Sequence, residues 1–510
     1  MHARPAPEPR RPGRPPARRR GRSASRTRPR RPFTRPGLAI LCGLCYLVGA
    51  AVLPFAHQPG MDDADRAALP SVGTYRAKDG STDRATIVET NIDALITRLH
   101  MIRSAQREVL VTTFDIRADN SGTDVIAALF AAADRGVRVR LLTDGQAELL
   151  RMRSTPEFHA LAQHPNVEIK AYSPPSGIAP WTIFGRYHDK IVVVDDRLLL
   201  LGGRNTYDFF LGGYPTDHPS GDRETLVYAP DGTGTIGGPR TSVIPEVRRY
   251  ADAVWYGPDA PTVLTHLTWG MSQREVDVAA AGLRSHAAAQ EANDPTVLDD
   301  AFWRGKTMAV DRVTLLGNPS HPGTKKPVVW TQLMALADTA RTDVVLQTPY
   351  YVANRAMTAD VARLTQRPGR RVRLILNSAV TGDNVVASGD YRYARPDVLA
   401  TGAEVWEFFG PDSSHAKSTA IDDDLSVIGS FNLDQLSAYG NTESVLVIAG
   451  KDFNAALRGH MDAAFAEAAR VKPDGTYDTP SGEAPRPLPA RRAVMLRILG
   501  VVTWPFRFLL

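Results

Sequence analysis

Two copies of one pattern, 227 residues apart, constrain this 510-residue chain more than any other feature. The first reads HDKIVVVD from His188 to Asp195 and then GGRN at 202–205. The second reads HAKSTAID from His415 to Asp422 and then GSFN at 429–432. Counted from the histidine, Lys stands at +2, Asp at +7, Gly at +14 and Asn at +17 in both copies. The residues between them have largely diverged, so four matched offsets indicate a duplicated half-site within one chain.

The flanks repeat as well. Glu108 to Phe114 is an apolar strand candidate, Val125 to Ala133 an apolar helical stretch, and Val137 to Thr143 a second strand. Asp343 onward (DVVLQTPYY), a helix near Thr358 to Leu364, and Val372 to Asn377 repeat that order. Short β-branched runs joined by a crossover long enough for a helix predict parallel strands in a covered α/β sheet. The expected fold is therefore two tandem α/β domains related by pseudo-twofold symmetry, at 84–300 and 301–470, after a linker at 57–83.

The N-terminus belongs to a different physical regime. Residues 1–36 hold thirteen Arg and one Glu among Pro, Ser and Gly, which predicts a disordered extension. Residues 37–56 are uncharged and mostly apolar; twenty helical residues rise about 30 Å, enough for a bilayer core. Two readings compete: a retained anchor, and an export signal, for which the run is long and the cleavage site poorly defined. With the arginines held in the cytoplasm, an anchored catalytic body lies outside the membrane; a cleaved signal would make it secreted.

Charge separates this extension from the body. The whole chain is formally +6 and residues 1–36 carry 13 − 1 = +12, so the remainder sums to 6 − 12 = −6. A body of that balance shows no basic stripe of the kind a nucleic-acid enzyme carries, and no stable nucleic-acid partner is expected. Both cysteines, Cys42 and Cys45, lie in the apolar run, leaving the body no thiol nucleophile and no disulfide. A Pro-rich linker at 471–489 leads to residues 490–510, where four Arg alternate with apolar and aromatic residues. That tail reads either as an amphipathic segment at a membrane surface or as a strap on the protein's own surface.

Period-two alternation puts His188 with Lys190, and His415 with Lys417, on shared faces at strand starts. Gly202 and Gly429 allow tight turns, after which Asn205 and Asn432 return an amide toward the same cleft. Two histidines, two lysines and two asparagines meeting at a pseudo-twofold interface suit a phosphodiester: one imidazole attacks phosphorus and the other protonates the leaving alkoxide. Lysines and asparagines would hold the phosphoryl oxygens, so this chemistry calls for no metal and no cofactor. A nucleophilic histidine needs an acceptor on its other ring nitrogen. Glu443, Asp222 and Glu224 are the candidates, each also readable as a solvated carboxylate, whereas Asp195 and Asp422 read as braces of strand ends.

The repeated H-x-K-x4-D-x6-G-G/S-x-N pattern resembles the phospholipase D superfamily, over roughly residues 84–470. GGRNTYDFFLGG at 202–213, GSFNLDQLSAYGNTE at 429–443 and TPYYV at 348–352 look like the bacterial cardiolipin synthases. The resemblance implies His188 as nucleophile, His415 as general acid, and Lys190, Asn205, Lys417 and Asn432 as phosphate ligands. It also implies phosphatidyl transfer between two phosphatidylglycerol molecules and an anionic phospholipid in a membrane as substrate; the duplication itself lets a monomer assemble the complete two-histidine site. Hydrolysis to phosphatidic acid is the alternative; a nuclease or a non-catalytic lipid-binding module ranks below both. The common synthases of this group carry two membrane helices before the catalytic body, and this chain offers one candidate. Loops at 212–223 and 382–396 are expected to select the headgroup, with Tyr350, Asp383, Asn384 and Tyr393 as substrate-binding candidates.

Overall fold

Successive strand residues point to opposite sides of a sheet, and in this protein both sides are apolar and buried. Val192 and Val194 face helices, while Ile191 and Val193 face a second sheet. The computed structural model describes residues 35–78, 80–231, 242–480 and 482–510. The Arg/Pro-rich extension expected at 1–36 therefore lies almost wholly outside the described residues. Residues Leu47–Leu510 form one unit and Met1–Tyr46 another.

The first sheet has eight strands in the order Val167–Tyr172, Arg138–Asp144, Glu108–Thr113, Ile191–Val194, Leu198–Gly202, Glu224–Tyr228, Arg84–Val88, Met308–Ala309. The second has nine, in the order Arg312–Gly317, Ser444–Ala449, Leu425–Gly429, Ser418–Ile421, Asp343–Gln347, Arg371–Asn377, Glu404–Phe408, Ala468–Val471, Tyr477–Asp478. The predicted strand–helix–strand units are parallel. The strands that follow the two histidines run antiparallel to both neighbours, which makes each sheet mixed. Sheet pairing carries the first half past residue 300, to Met308–Ala309, and the second past 470, to Tyr477–Asp478.

Helices cover the outer face of each sheet, and the inner faces pack on one another. Leu110, Val193 and Leu201 from the first sheet share a core with Val345, Ile428 and Leu446 from the second. Asp119 caps the helix Asn120–Asp134 and Asn354 caps Arg355–Thr365, each side chain accepting a backbone N–H of the first turn. The helix Arg35–Ala56 contains a stretch, Leu38–Ala56, long and apolar enough to cross a membrane. Its last turn packs on the body, with the Phe55 ring 5.8 Å from that of Phe184.

The segment at 382–396, read from sequence as a polar loop, is mostly a helix, Val385–Leu399. It forms despite Gly389 and Pro396 inside it: Asn384 caps its start and Gly389 serves close packing. The C-terminal helix Ala490–Thr503 lies on it: a Cβ on Gly500 would stand 2.6 Å from the Gly389 carbonyl oxygen. Beyond that helix Arg507 forms a two-pronged ion pair with buried Asp390, at 2.8 and 3.1 Å.

Candidate active site

Three of the four repeated offsets have a structural cause in the hairpins. The Gly202 N–H donates to the Lys190 carbonyl and the Gly429 N–H to the Lys417 carbonyl, both at 3.3 Å, so +14 is tied to +2 across a hairpin. A Cβ at Gly202 would lie 2.5 Å from the Arg223 carbonyl oxygen, and one at Gly429 2.2 Å from that of Ser444, leaving room only for glycine. Asp195 and Asp422 adopt positive φ of 51° and 46° in the hairpin turns. The Asp195 carboxylate accepts the backbone N–H groups of Gln106, Arg107 and Glu108 at 2.6 to 2.8 Å. Asp422 accepts those of Arg341, Thr342 and Asp343 at 2.9 to 3.2 Å. Both aspartates pin the start of the neighbouring strand, as strand-end braces would, and neither faces a histidine.

The two halves meet through two short parallel bridges. Tyr187 pairs with Thr442, and Ser414 with Gly221. The residue after each bridge partner is a histidine on one side and a carboxylate on the other, so each half supplies the acceptor for the other's histidine. His188 Nδ1 lies 2.8 Å from Glu443 Oε1, and His415 Nδ1 lies 2.6 Å from Asp222 Oδ2. Both carboxylates are fully buried. The ring nitrogen opposite Nδ1, Nε2, is thereby oriented in each histidine.

Aromatic rings hold the imidazoles from the other side: Phe114 packs on His188 at 5.3 Å and Phe210 on His415 at 4.9 Å. The Lys190 ammonium donates to the His188 carbonyl at 2.6 Å, and Lys417 lies 3.4 Å from Asp222. Asn205 and Asn432 are buried, and the side-chain oxygen of each has no hydrogen-bond partner. Asn432 Nδ2 reaches the Tyr350 hydroxyl at 3.3 Å, because Tyr351–Val352 pairs in parallel with Leu433–Asp434.

Electrostatics break the symmetry. Burial pushes the Glu443 carboxyl up to about 8, against Lys190 and the hydroxyls of Ser430 and Ser437. Burial acts on Asp222 in the same direction, but Lys417 and His415 together hold it below its ordinary value. Burial, then Lys190 and Lys417, drive His188 well below its usual value. Burial and Lys417 also lower His415, with Asp222 opposing them. Lys190 is brought down to about 7, chiefly by burial.

Several candidates lie elsewhere. Glu224 pairs with Arg98 through two bonds of 2.6 and 2.7 Å and stands 3.6 Å from Arg204, so it neutralises buried guanidinium groups and serves neither histidine. The charge of Asp383 is felt at His415, Lys417 and Tyr350, and its carboxylate accepts the Asn384 N–H. Asn384 is the cap of the following helix. Tyr393 is half exposed and packs on Trp504 at 4.6 Å, so its neighbour is the C-terminal segment. Sequence reasoning missed Phe114, Phe210 and Arg223, whose guanidinium joins Glu89 of the first half to Gln347 and Ser418 of the second. The position of Arg223 beside Asp222 in GDRE was the one available signal.

Paired imidazoles with opposed carboxylates, two ammonium groups and two amides define a phosphodiester-transforming enzyme built by duplication. Comparison with known proteins gives the family. The profile described as the phospholipase D-like domain of cardiolipin synthase matches residues 99–208 and 333–465, once in each half. Cardiolipin synthase C of Escherichia coli is 25% identical over 403 residues, spanning 71% of this chain and 80% of its own. Cardiolipin synthase A of Pseudomonas putida is 26% identical over 380 residues, 74% of this chain and 67% of its own. An uncharacterized protein of Helicobacter pylori is 24% identical over 450 residues, 82% and 85% of the two chains. In fold, the crystal structure of a phosphatidylserine synthase from Haemophilus influenzae matches 86% of this chain and all of its own, with a TM-score of 0.60 at 14% identity. The chain belongs to the phospholipase D superfamily and is cardiolipin synthase-like.

Proposed function

We propose that this protein is a phosphatidyltransferase that makes cardiolipin and glycerol from two molecules of phosphatidylglycerol. In this reading Nε2 of His188 attacks phosphorus while His415 gives its proton to the departing glycerol oxygen. The P–O bond breaks as the N–P bond forms. The hydroxyl of a second phosphatidylglycerol then loses its proton to His415 and attacks phosphorus, releasing His188. One phosphodiester replaces another, so the site must favour a lipid alcohol over water through placement and exclusion of solvent.

The observation that carries the reading is the crossed pair of histidine–carboxylate contacts with unequal electrostatics. His188, held neutral beside a carboxyl raised by burial, suits attack. His415, beside a carboxylate held ionised, suits a proton that must be kept and then given. Lys190, Lys417, Asn205 and Asn432 serve as phosphate ligands, the asparagines through their amide N–H groups, and the unpartnered amide oxygens accept from headgroup hydroxyls. Glu443 and Asp222 orient the histidines, and Tyr350 and Asp383 border the headgroup. One chain supplies both half-sites, so a monomer suffices. The apolar run at 37–56 serves as the membrane anchor, with the two α/β halves on the extracytoplasmic side.

The test is lipid mass spectrometry on purified protein with phosphatidylglycerol vesicles, alongside His188→Ala and His415→Ala. Cardiolipin with free glycerol, lost in both variants, is the expected result. Phosphatidic acid without cardiolipin would make the enzyme a hydrolase.

A further inference from the structure

An apolar face of a helix needs a partner. The helix Ala490–Thr503 carries three arginines among apolar residues, and only one of its sides is covered. Leu496 and Gly500 are buried against Val385–Leu399. Val494, Met495, Ile498, Val501 and Val502 share the opposite face and are 40% to 62% exposed, continued by Phe506 beyond the helix. At 100° per residue those five positions span an arc of about 120°, a continuous stripe. A contiguous exposed stripe of this kind marks an interaction surface.

Three observations select its occupant. Residues 490–510 contain four Arg and no acidic residue. Arg491 and Arg497 are exposed, and Arg497 shares a groove with Arg392, Tyr393 and Val494. Third, the two ends of the body converge. Gln58, two residues after the N-terminal helix, donates from Nε2 to Gln435 Oε1 at 2.9 Å, and the next residue, Leu436, donates its N–H to the Leu510 carbonyl at 2.9 Å. A helix long enough to cross a bilayer thus ends at the short helix Gln435–Tyr439, where the C-terminal segment also ends.

We infer that the C-terminal helix is a second membrane contact. It lies in the headgroup region of an anionic bilayer, with its Val494–Val502 face in the acyl boundary and Arg491, Arg497 and Arg392 against lipid phosphates. The contact reaches the site. Arg492 donates to the Gly382 carbonyl, next to Asp383, and Leu510 is held by the helix that follows Asn432. Docking on lipid therefore fixes the second-half loops that border the histidines.

The inference concerns placement and is independent of the phosphatidyl-transfer chemistry, so its test reads depth and not turnover. Full-length protein carrying Cys42→Ser and Cys45→Ser receives a single cysteine at Ile498, labelled with a polarity-sensitive fluorophore, in phosphatidylcholine vesicles with and without phosphatidylglycerol. Ser285→Cys, on an exposed face of the helix Gln273–Asn293, is the control. The expected result is a blue shift at 498 and loss of emission with brominated acyl chains, stronger with phosphatidylglycerol and weakened by Arg497→Glu. The control should stay water-like. Water-like emission at 498 overturns the inference. So does a shielded probe that bromine leaves bright and that crosslinks between copies, which would assign the face to a second chain.

Discussion

Replacing Asp222 by Asn tests the division of labour between the histidines. Asp222 Oδ2 lies 2.6 Å from His415 Nδ1 and is fully buried, so the substitution removes a charge while keeping the shape. An opposite charge at this range favours the imidazolium by about 1 to 3 pKa units. At about 1.4 kcal/mol per unit, Asp222→Asn weakens protonated His415 by about 1.4 to 4 kcal/mol, or about 10- to 1000-fold in any step that uses its proton. Glu443→Gln removes less charge at neutral pH, because burial has already pushed that carboxyl up to about 8. The assay is single-turnover release of the leaving group from phosphatidylglycerol, compared with phosphatidyl-4-nitrophenol, whose phenolate departs without a proton. Asp222→Asn should slow glycerol release by the factor above and leave the nitrophenolate burst nearly intact. At pH 7 Glu443→Gln should cost less than Asp222→Asn in glycerol release. Equal suppression of both leaving groups by Asp222→Asn would falsify the assignment of His415 as acid.

Four further outcomes follow from the geometry and electrostatics. Because burial brings Lys190 down to about 7, kcat/KM should fall as pH rises through about 7 while the free enzyme loses that ammonium. The same limb in kcat should lie higher, since a bound phosphodiester favours the charged form, and Lys190→Arg should flatten it; a flat wild-type profile up to pH 9 refutes this. Although burial opposes it, the backbone N–H groups of Arg341 and Thr342 bring the Asp422 carboxyl down from 3.8 to about 2. Its stabilisation is present in full above 3.8 and lost as pH falls through about 2, so acid unfolding of Asp422→Asn should be less steep there. In chemical denaturation Asp422→Gly should lie about 1 kcal/mol above Asp422→Ala, the cost of a Cβ at positive φ. Glu224→Leu strands Arg98 and Arg204 in the core and should destabilise by about 3 to 5 kcal/mol; activity per folded molecule should survive, and selective loss of kcat without loss of stability would return Glu224 to the chemistry.

The two half-sites, their α/β setting and the His, Lys and Asn members were legible because duplication wrote the same local grammar twice. Strand and hairpin glycine are set by neighbours within about twenty residues, and each turn aspartate by a strand start in its own half, so such constraints leave fixed offsets. The same locality explains the misreadings. Glu224 sits two residues from Asp222 with equal chemistry, but Asp222 follows the Gly221 bridge to the second half and meets His415, whereas Glu224 opens a strand of the first sheet and meets Arg98. The helix Val385–Leu399 was hidden by Gly389 and Pro396, and the close approach that Gly389 permits is to residues more than 100 positions away.

What the sequence determined by itself was the chemistry of each half and the apolar run at 37–56, since these depend on residue type and spacing. Tertiary structure alone decided which carboxylate serves which histidine. That choice is made where Tyr187 meets Thr442 and Ser414 meets Gly221, across about 190 to 255 residues of chain. It also decided that Glu443 and Asp222, alike in sequence, carry opposite shifts, because burial outweighs the neighbouring cations at one and yields to them at the other.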